Sequence, residues 1–266
     1  MNVIEISSRE NSFLKDLRRL LQDGSAYRKQ GRVWIEGDHL CRAYLQRGLD
    51  PDVAVYAESY WLASAHQPEV VQAARAGKIM VVKDVLWREL SPLDSPAPMG
   101  FVVQAPARPS LDPKVGTVVL DRLQDAGNAG AILRSAAAFG FRQIVALKGT
   151  VALWSPKVMR AGMGAHFGLS LIEGASLDDV RALQVPLLAT SSHGGEAVHN
   201  APLPVPCAWA MGHEGQGVSP ELEALAARKL RIAQPGGEES LNVAVAAGIC
   251  LHASACLLYT SPSPRD

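Results

Sequence analysis

Five short apolar runs in the second half of the chain are separated by segments of helical periodicity. The runs are Thr117 to Leu120, Gln143 to Leu147, Leu187 to Thr190, Ala208 to Met211 and Leu230 to Ala233, and Ala129 to Phe139 is the clearest of the helical segments. Strands that alternate with helices at this spacing imply a parallel sheet with crossover helices. Three polar segments, each bearing glycine, follow such apolar runs: DRLQDAGNAGAILRSAAAFGF from Asp121, GHEGQG from Gly212 and GGEESLNVAVAAGICL from Gly236. Glycines and a few polar side chains at strand ends are what a ligand pocket in a parallel sheet requires.

The first half reads as a separate α/β unit of about a hundred residues. Phe13, Leu14, Leu17, Leu20 and Leu21 recur at helical spacing, with Lys15, Arg18 and Arg19 on the other side. Strands are expected at Arg32 to Ile35, Val53 to Tyr56, Ile79 to Val82 and Gly100 to Val103, with helices at His39 to Arg47 and Pro68 to Ala76 and another starting near Asp84. The stretch APARPSLDPKVG, with three prolines and little periodicity, is a linker. The expected domains are therefore 1–104 and 117–255, joined by 105–116.

The formal net charge is zero, so any nucleic-acid contact has to come from a local patch. Between Arg9 and Arg32 seven basic residues face three acidic ones, and Lys15, Arg18, Arg19, Arg28 and Lys29 are the candidate RNA-binding residues. An ordinary solvated helix face has the same composition. Cys41, Cys207, Cys250 and Cys256 are scattered without a CxxC pair, which points to neither zinc nor disulfides and to a reduced, cytoplasmic setting. No export or membrane segment is read, and no metal is expected. The last eleven residues, CLLYTSPSPRD, match the translation of a transposase sequencing adapter. The expectation is that Leu257 to Tyr259 extend a helix by accident, that Thr260 to Asp266 fray, and that the natural chain continues with helix past Ala255.

Each motif has a chemical and a bland interpretation. Asn128 can cap the helix after Asp121, leaving Arg134 near an N-terminal end suited to phosphate; an ordinary cap and a surface arginine look the same. GHEGQG has GxxGxG spacing, and a carboxylate at Glu214 would repel a pyrophosphate, so the loop suits close backbone approach to an uncharged part of a ligand. Glu214 is expected to orient a donor such as Arg134. Ser240 and Asn242 flank Leu241, whose side chain can line an apolar wall; alternatively Ser240 is only an N-cap.

In order and spacing the three motifs resemble those of the SpoU (TrmH-like) branch of the SPOUT RNA 2′-O-ribose methyltransferases. SPKVMRAGMGAHFGLSL from Ser155 is also similar to that family's sequence between its first two motifs, and KDLRRL and VWIEGDHL look like its substrate-binding domain. The resemblance implies a small L30e-like α/β domain followed by a SPOUT domain with a parallel sheet and a C-terminal deep trefoil knot. It implies a homodimer that uses S-adenosylmethionine and acts on RNA, ribosomal RNA in preference to transfer RNA. It places Asn128, Arg134, Glu214, Ser240 and Asn242 on active-site positions, and Thr190, Gly212, Ile232 and Leu241 on cofactor contacts. Two departures bear on the pocket's shape: His213 stands where a small or amide residue is usual, and Ala233-Gln234-Pro235 replaces Ile-Pro-Met. A non-catalytic RNA-binding protein of the same fold is the alternative, disfavoured by the intact polar set. A nicotinamide-dependent oxidoreductase is disfavoured because no GxGxxG follows an early strand.

Overall fold

The structure, a computed structural model, describes residues 3–64, 77–192 and 194–260. They form two compact units, one from residues 1–107 with 154–167 and the other from 108–153 with 168–266.

In the first unit, the helix Ser12–Gln22 starts where the Asn11 side chain accepts the Leu14 amide, and it buries Leu14, Leu17, Leu20 and Leu21. Its sheet has the strand order Val3–Ile6, Lys78–Val82, Val53–Ala57, Met99–Gln104, Arg32–Glu36. The first three are parallel, and Met99–Gln104 is antiparallel to both its neighbours. Gly100 has to be glycine, because a Cβ there would lie 2.3 Å from the Trp34 ring. The strand Val3–Ile6 is absent from the sequence reading, since only Ile6 of its four residues is buried and no alternation announces it. The helix expected at His39 to Arg47 runs Asp38–Leu45, and the one expected at Pro68 to Ala76 lies outside the described residues.

Residues 154–167 belong to this first unit, whereas the sequence reading carries the second domain unbroken from 117 to 255. Ser155 caps the short helix Pro156–Gly162, which packs against the Arg32–Glu36 strand. Arg160 Nη1 donates to the Glu36 carboxylate at 2.9 Å, and that carboxylate is only 6% exposed. A buried pair of this kind sets register more than it stabilises. Periodicity could not assign the segment, because its packing partner lies more than a hundred residues away in sequence.

The second unit holds a seven-stranded sheet in the order Glu196–Ala197, Arg228–Arg231, Leu187–Thr190, Ala208–Met211, Thr117–Leu120, Gln143–Leu147, Ser170–Ala175. Every pairing is parallel. The carboxyl ends therefore share one edge, and the loops that begin at 121, 191, 212 and 232 gather there. The last long strand is Arg228–Arg231, two residues earlier than the apolar run at Leu230 to Ala233. It pairs on both sides through its backbone while burying only Leu230, so side-chain polarity misplaced it.

The helix Val243–Thr260 packs against Ala126–Ala138 and turns Ala247, Cys250, Leu251 and Ser254 inward at helical spacing. It reaches Thr260, one residue beyond the expected end at Tyr259. From Leu251 to Thr260 the sequence holds no glycine or proline, so nothing local stops it sooner. Residues 261–266 lie outside the description. Among the described residues no helix is long and apolar enough to cross a membrane.

Candidate active site

A cavity of about 370 Å³ opens at the carboxyl edge of the parallel sheet. Thr190, Gly212, Ile232 and Leu241 all line it, together with Glu214 and Ser240. Its remaining walls include the loop from His213 to Val218, Glu239, and Cys250 from the terminal helix. Thr190 is held in place by its hydroxyl, which donates to the Ala210 carbonyl at 2.9 Å. Burial pushes the Cys250 thiol up to about 12, so this wall is neutral near pH 7.

The loop after the Ala208–Met211 strand is built on backbone proximity. A Cβ on Gly212 would lie 2.0 Å from the Gly217 carbonyl carbon and 2.1 Å from the Val218 nitrogen, so no other residue fits without opening the turn. The loop closes through reciprocal bonds, His213 N–H to Gly217 O at 3.0 Å and Gly217 N–H to His213 O at 2.8 Å, with Gly217 at φ 69. Inside it the Gly215 amide donates to His213 Nδ1 at 3.0 Å, which leaves the ring proton on Nε2 when the ring is neutral.

Glu214 joins the three polar motifs, although not through Arg134. Its carboxylate accepts the Asp125 amide at 2.9 Å, the Gln124 amide at 3.2 Å and Asn128 Nδ2 at 3.3 Å. Asn128 Oδ1 then accepts Asn242 Nδ2 at 2.9 Å. The Asn242 Oδ1 atom accepts the Ala244 and Val245 amides. One line of hydrogen bonds thus runs from the Asp125 turn through Glu214 and Asn128 to the N-terminus of the last helix. Burial pushes the Glu214 carboxyl up, but the Asp125 and Gln124 amides and the Asn128 side chain outweigh it and hold the group below the usual glutamate range.

Two helix caps fall to other residues than the expected Asn128 and the alternative Ser240. Asp125, and not Asn128, caps the Ala126–Ala138 helix, accepting the Asn128 amide at 2.7 Å. Asn242, and not Ser240, caps the last helix. In both cases the better-placed acceptor sits nearer the first helical residue, and this frees Asn128 and Ser240 from a local role. With the helix starting at Ala126, Arg134 is its ninth residue and lies in the third turn, about 12 Å along the axis from the first residue. Its side chain is exposed, and among the described residues it has no hydrogen-bond or ion-pair partner. Neither Asn128, Arg134 nor Asn242 lines the cavity itself. Sequence reasoning missed Asp125, Gln124 and Gln216, because two of these act through backbone amides and the third through a tertiary contact.

The candidate RNA-binding face of the first unit is partly neutralised by its own carboxylates. Lys15 pairs with Glu10, Arg18 approaches Glu89 at 3.9 Å and Arg19 approaches Asp16 at 3.8 Å. Arg28 lies over the Tyr27 ring, 5.5 Å from its centroid.

A parallel α/β sheet with a glycine-walled cavity at its carboxyl edge defines a small-molecule-binding domain of the nucleotide-cofactor kind. Residues 116–252 match the SpoU rRNA Methylase family, and the chain belongs to that family. An uncharacterised tRNA/rRNA methyltransferase of Synechocystis sp. is 28% identical over 99% of this chain and 97% of its own length. The 23S rRNA (guanosine(2553)-2′-O)-methyltransferase RlmP of Bacillus subtilis is 25% identical over 93% and 98%. Among solved structures, the AdoMet-bound rRNA methyltransferase from Sinorhizobium meliloti superposes with a TM-score of 0.83 at 28% identity, over 96% of this chain and 98% of that one.

Proposed function

We propose that this chain transfers a methyl group from S-adenosylmethionine to a ribose 2′-hydroxyl of RNA, ribosomal RNA in preference to transfer RNA. The observation that carries it is the line Glu214–Asn128–Asn242 beside a cavity whose walls include Thr190, Gly212, Ile232 and Leu241. The charged walls agree with the donor: Glu214, Glu223 and Glu239 outnumber Lys229, a balance that favours a ligand bearing cationic groups over a pyrophosphate. The same balance argues against a nicotinamide dinucleotide.

When bound, S-adenosylmethionine supplies an electrophilic methyl group on its sulfonium. The chain's own residues hold and orient. Glu214 fixes the Asp125 turn, Asn128 and Asn242 fix the start of the last helix, and Ser240 and Leu241 are carried into the wall by that fixation. A guanidinium offers N–H donors and no acceptor, so the role of Arg134 is to stabilise the developing alkoxide and hold the adjacent phosphate, not to remove the proton. We further infer a trefoil knot and a homodimer. The knot accords with a last helix that returns against Ala126–Ala138. The dimer accords with Val245 and Ile249 standing 52% and 40% exposed one turn apart on that helix.

Purified protein is expected to methylate RNA and not DNA of the same sequence, read as methyl-group incorporation, because DNA lacks the acceptor hydroxyl. Arg134→Ala should lower turnover by about 100-fold or more while donor affinity stays within about twofold. Equal methylation of DNA would refute ribose as the acceptor, and an inactive wild type that still binds RNA would favour the non-catalytic alternative. Reversal of Arg18, Arg19 and Lys29 to glutamate should weaken RNA binding and flatten its salt dependence by roughly one unit of slope per lost phosphate contact. An unchanged slope would show that this face is only solvated.

A further inference from the structure

We propose that Arg122 is a positioning residue for the donor-binding loop, and that the chain accepts an unfavourable backbone at this position to place it. This rests on the assignment of the cavity to S-adenosylmethionine. Arg122 has φ 56, in the left-handed region that L side chains other than Asn and Asp rarely enter. No feature of the sequence marks it. Outliers of this kind persist where the surroundings hold them, and here two nitrogens of the guanidinium are held. Nε donates to Asp121 Oδ1 at 3.0 Å and Nη1 donates to Gln216 Oε1 at 2.9 Å.

The neighbour completes the grip. The Asp121 side chain is 2% exposed, and its other oxygen accepts the Ser219 amide at 2.6 Å, while its own amide donates to the Met211 carbonyl. The dipeptide therefore holds the loop at its base through Met211, at its crown through Gln216, and at its exit through Ser219. Between those points residues 214–217 are exposed and bury no apolar side chain, so polar ties are what hold the crown. Gln216 lines the cavity next to Gly215 and Gly217, and without Arg122 its side chain loses its anchor, leaving the crown to the Glu214 bonds and the His213–Gly217 backbone pair. The Arg122–Gln216 bond ends on a residue of the cavity wall, so its loss acts on donor binding.

The test uses Arg122→Gly, in which glycine adopts the left-handed backbone without strain and only the side-chain tie is lost. The expected results are a dissociation constant and KM for S-adenosylmethionine raised about tenfold and a saturated kcat within about twofold of wild type, with a lowered melting temperature because the buried Asp121 carboxylate loses its charged partner. Hydrogen exchange of amides 213–218 in the ligand-free protein should quicken. Gln216→Ala should reproduce the KM rise, and the double variant should be no worse than either single one. A residue that only supported the fold would lower the melting temperature and kcat together. Unchanged loop exchange with unchanged KM, or additive effects in the double variant, would overturn the proposal. A wild type that binds no S-adenosylmethionine would overturn the donor assignment and this inference with it, and the ligand-free exchange experiment tells the two failures apart.

Discussion

Gly212→Ala is expected to abolish donor binding while leaving the first unit folded. The added Cβ would meet backbone at 2.0 and 2.1 Å, and no flexible side chain can yield, so the turn from Gly212 to Val218 must open. Overpacking typically costs about 1–3 kcal/mol, and the upper end applies where only backbone can yield, which in a ligand-lining loop translates to roughly 100-fold in affinity. Titration calorimetry with S-adenosylmethionine reads the affinity, and exchange of the Arg32–Glu36 and Met99–Gln104 amides reads the first unit. Binding within about threefold of wild type would mean that the loop is more compliant than its geometry indicates.

Glu214→Gln is expected to lower kcat/KM by about 100-fold, because the carboxylate serves three donors at once. A glutamine turns one of those oxygens into a donor facing the backbone amides, and a lost hydrogen bond to a charged group is worth roughly 1.5–3 kcal/mol. Arg134 does not share this network, so Arg134→Ala and Glu214→Gln should differ in kind. The first spares donor affinity and the second weakens it through the misplaced loop. The same carboxylate gives a pH signature. Its folded pKa lies below the ordinary glutamate value of 4.5, so its contribution to stability is complete above that value and is lost as the pH falls through the lower folded one. The glutamine variant should therefore show a shallower loss of stability on acidification below pH 4.5, measured by thermal melts across that range. Equal acid limbs in the two proteins would remove Glu214 from the linkage.

Local sequence alone determined the parallel α/β class of the second unit, four of its strands to the residue, and the first helix of the chain. Thr117–Leu120, Gln143–Leu147, Leu187–Thr190 and Ala208–Met211 are continuous apolar runs because both faces of such strands are covered, and that is a one-dimensional pattern. The glycine loop at Gly212–Gly217 was legible for the same reason: the need for bare backbone is carried by the residue type itself. The polar motifs could be listed, but not their partners. Which oxygen caps a helix depends on where its first turn begins, so Asp125 and Asn242 displaced Asn128 and Ser240 only once the backbone was in place. Glu214 turned to the Asp125 and Gln124 amides and not to Arg134, because two preorganised N–H donors at the strand end lie closer than a side chain in the third turn of the helix. The assignment of residues 154–167 to the first unit and the left-handed backbone of Arg122 were likewise invisible. Both depend on contacts between segments far apart in the chain, Arg160 with Glu36 and Arg122 with Gln216, and the tertiary structure alone brings those segments together.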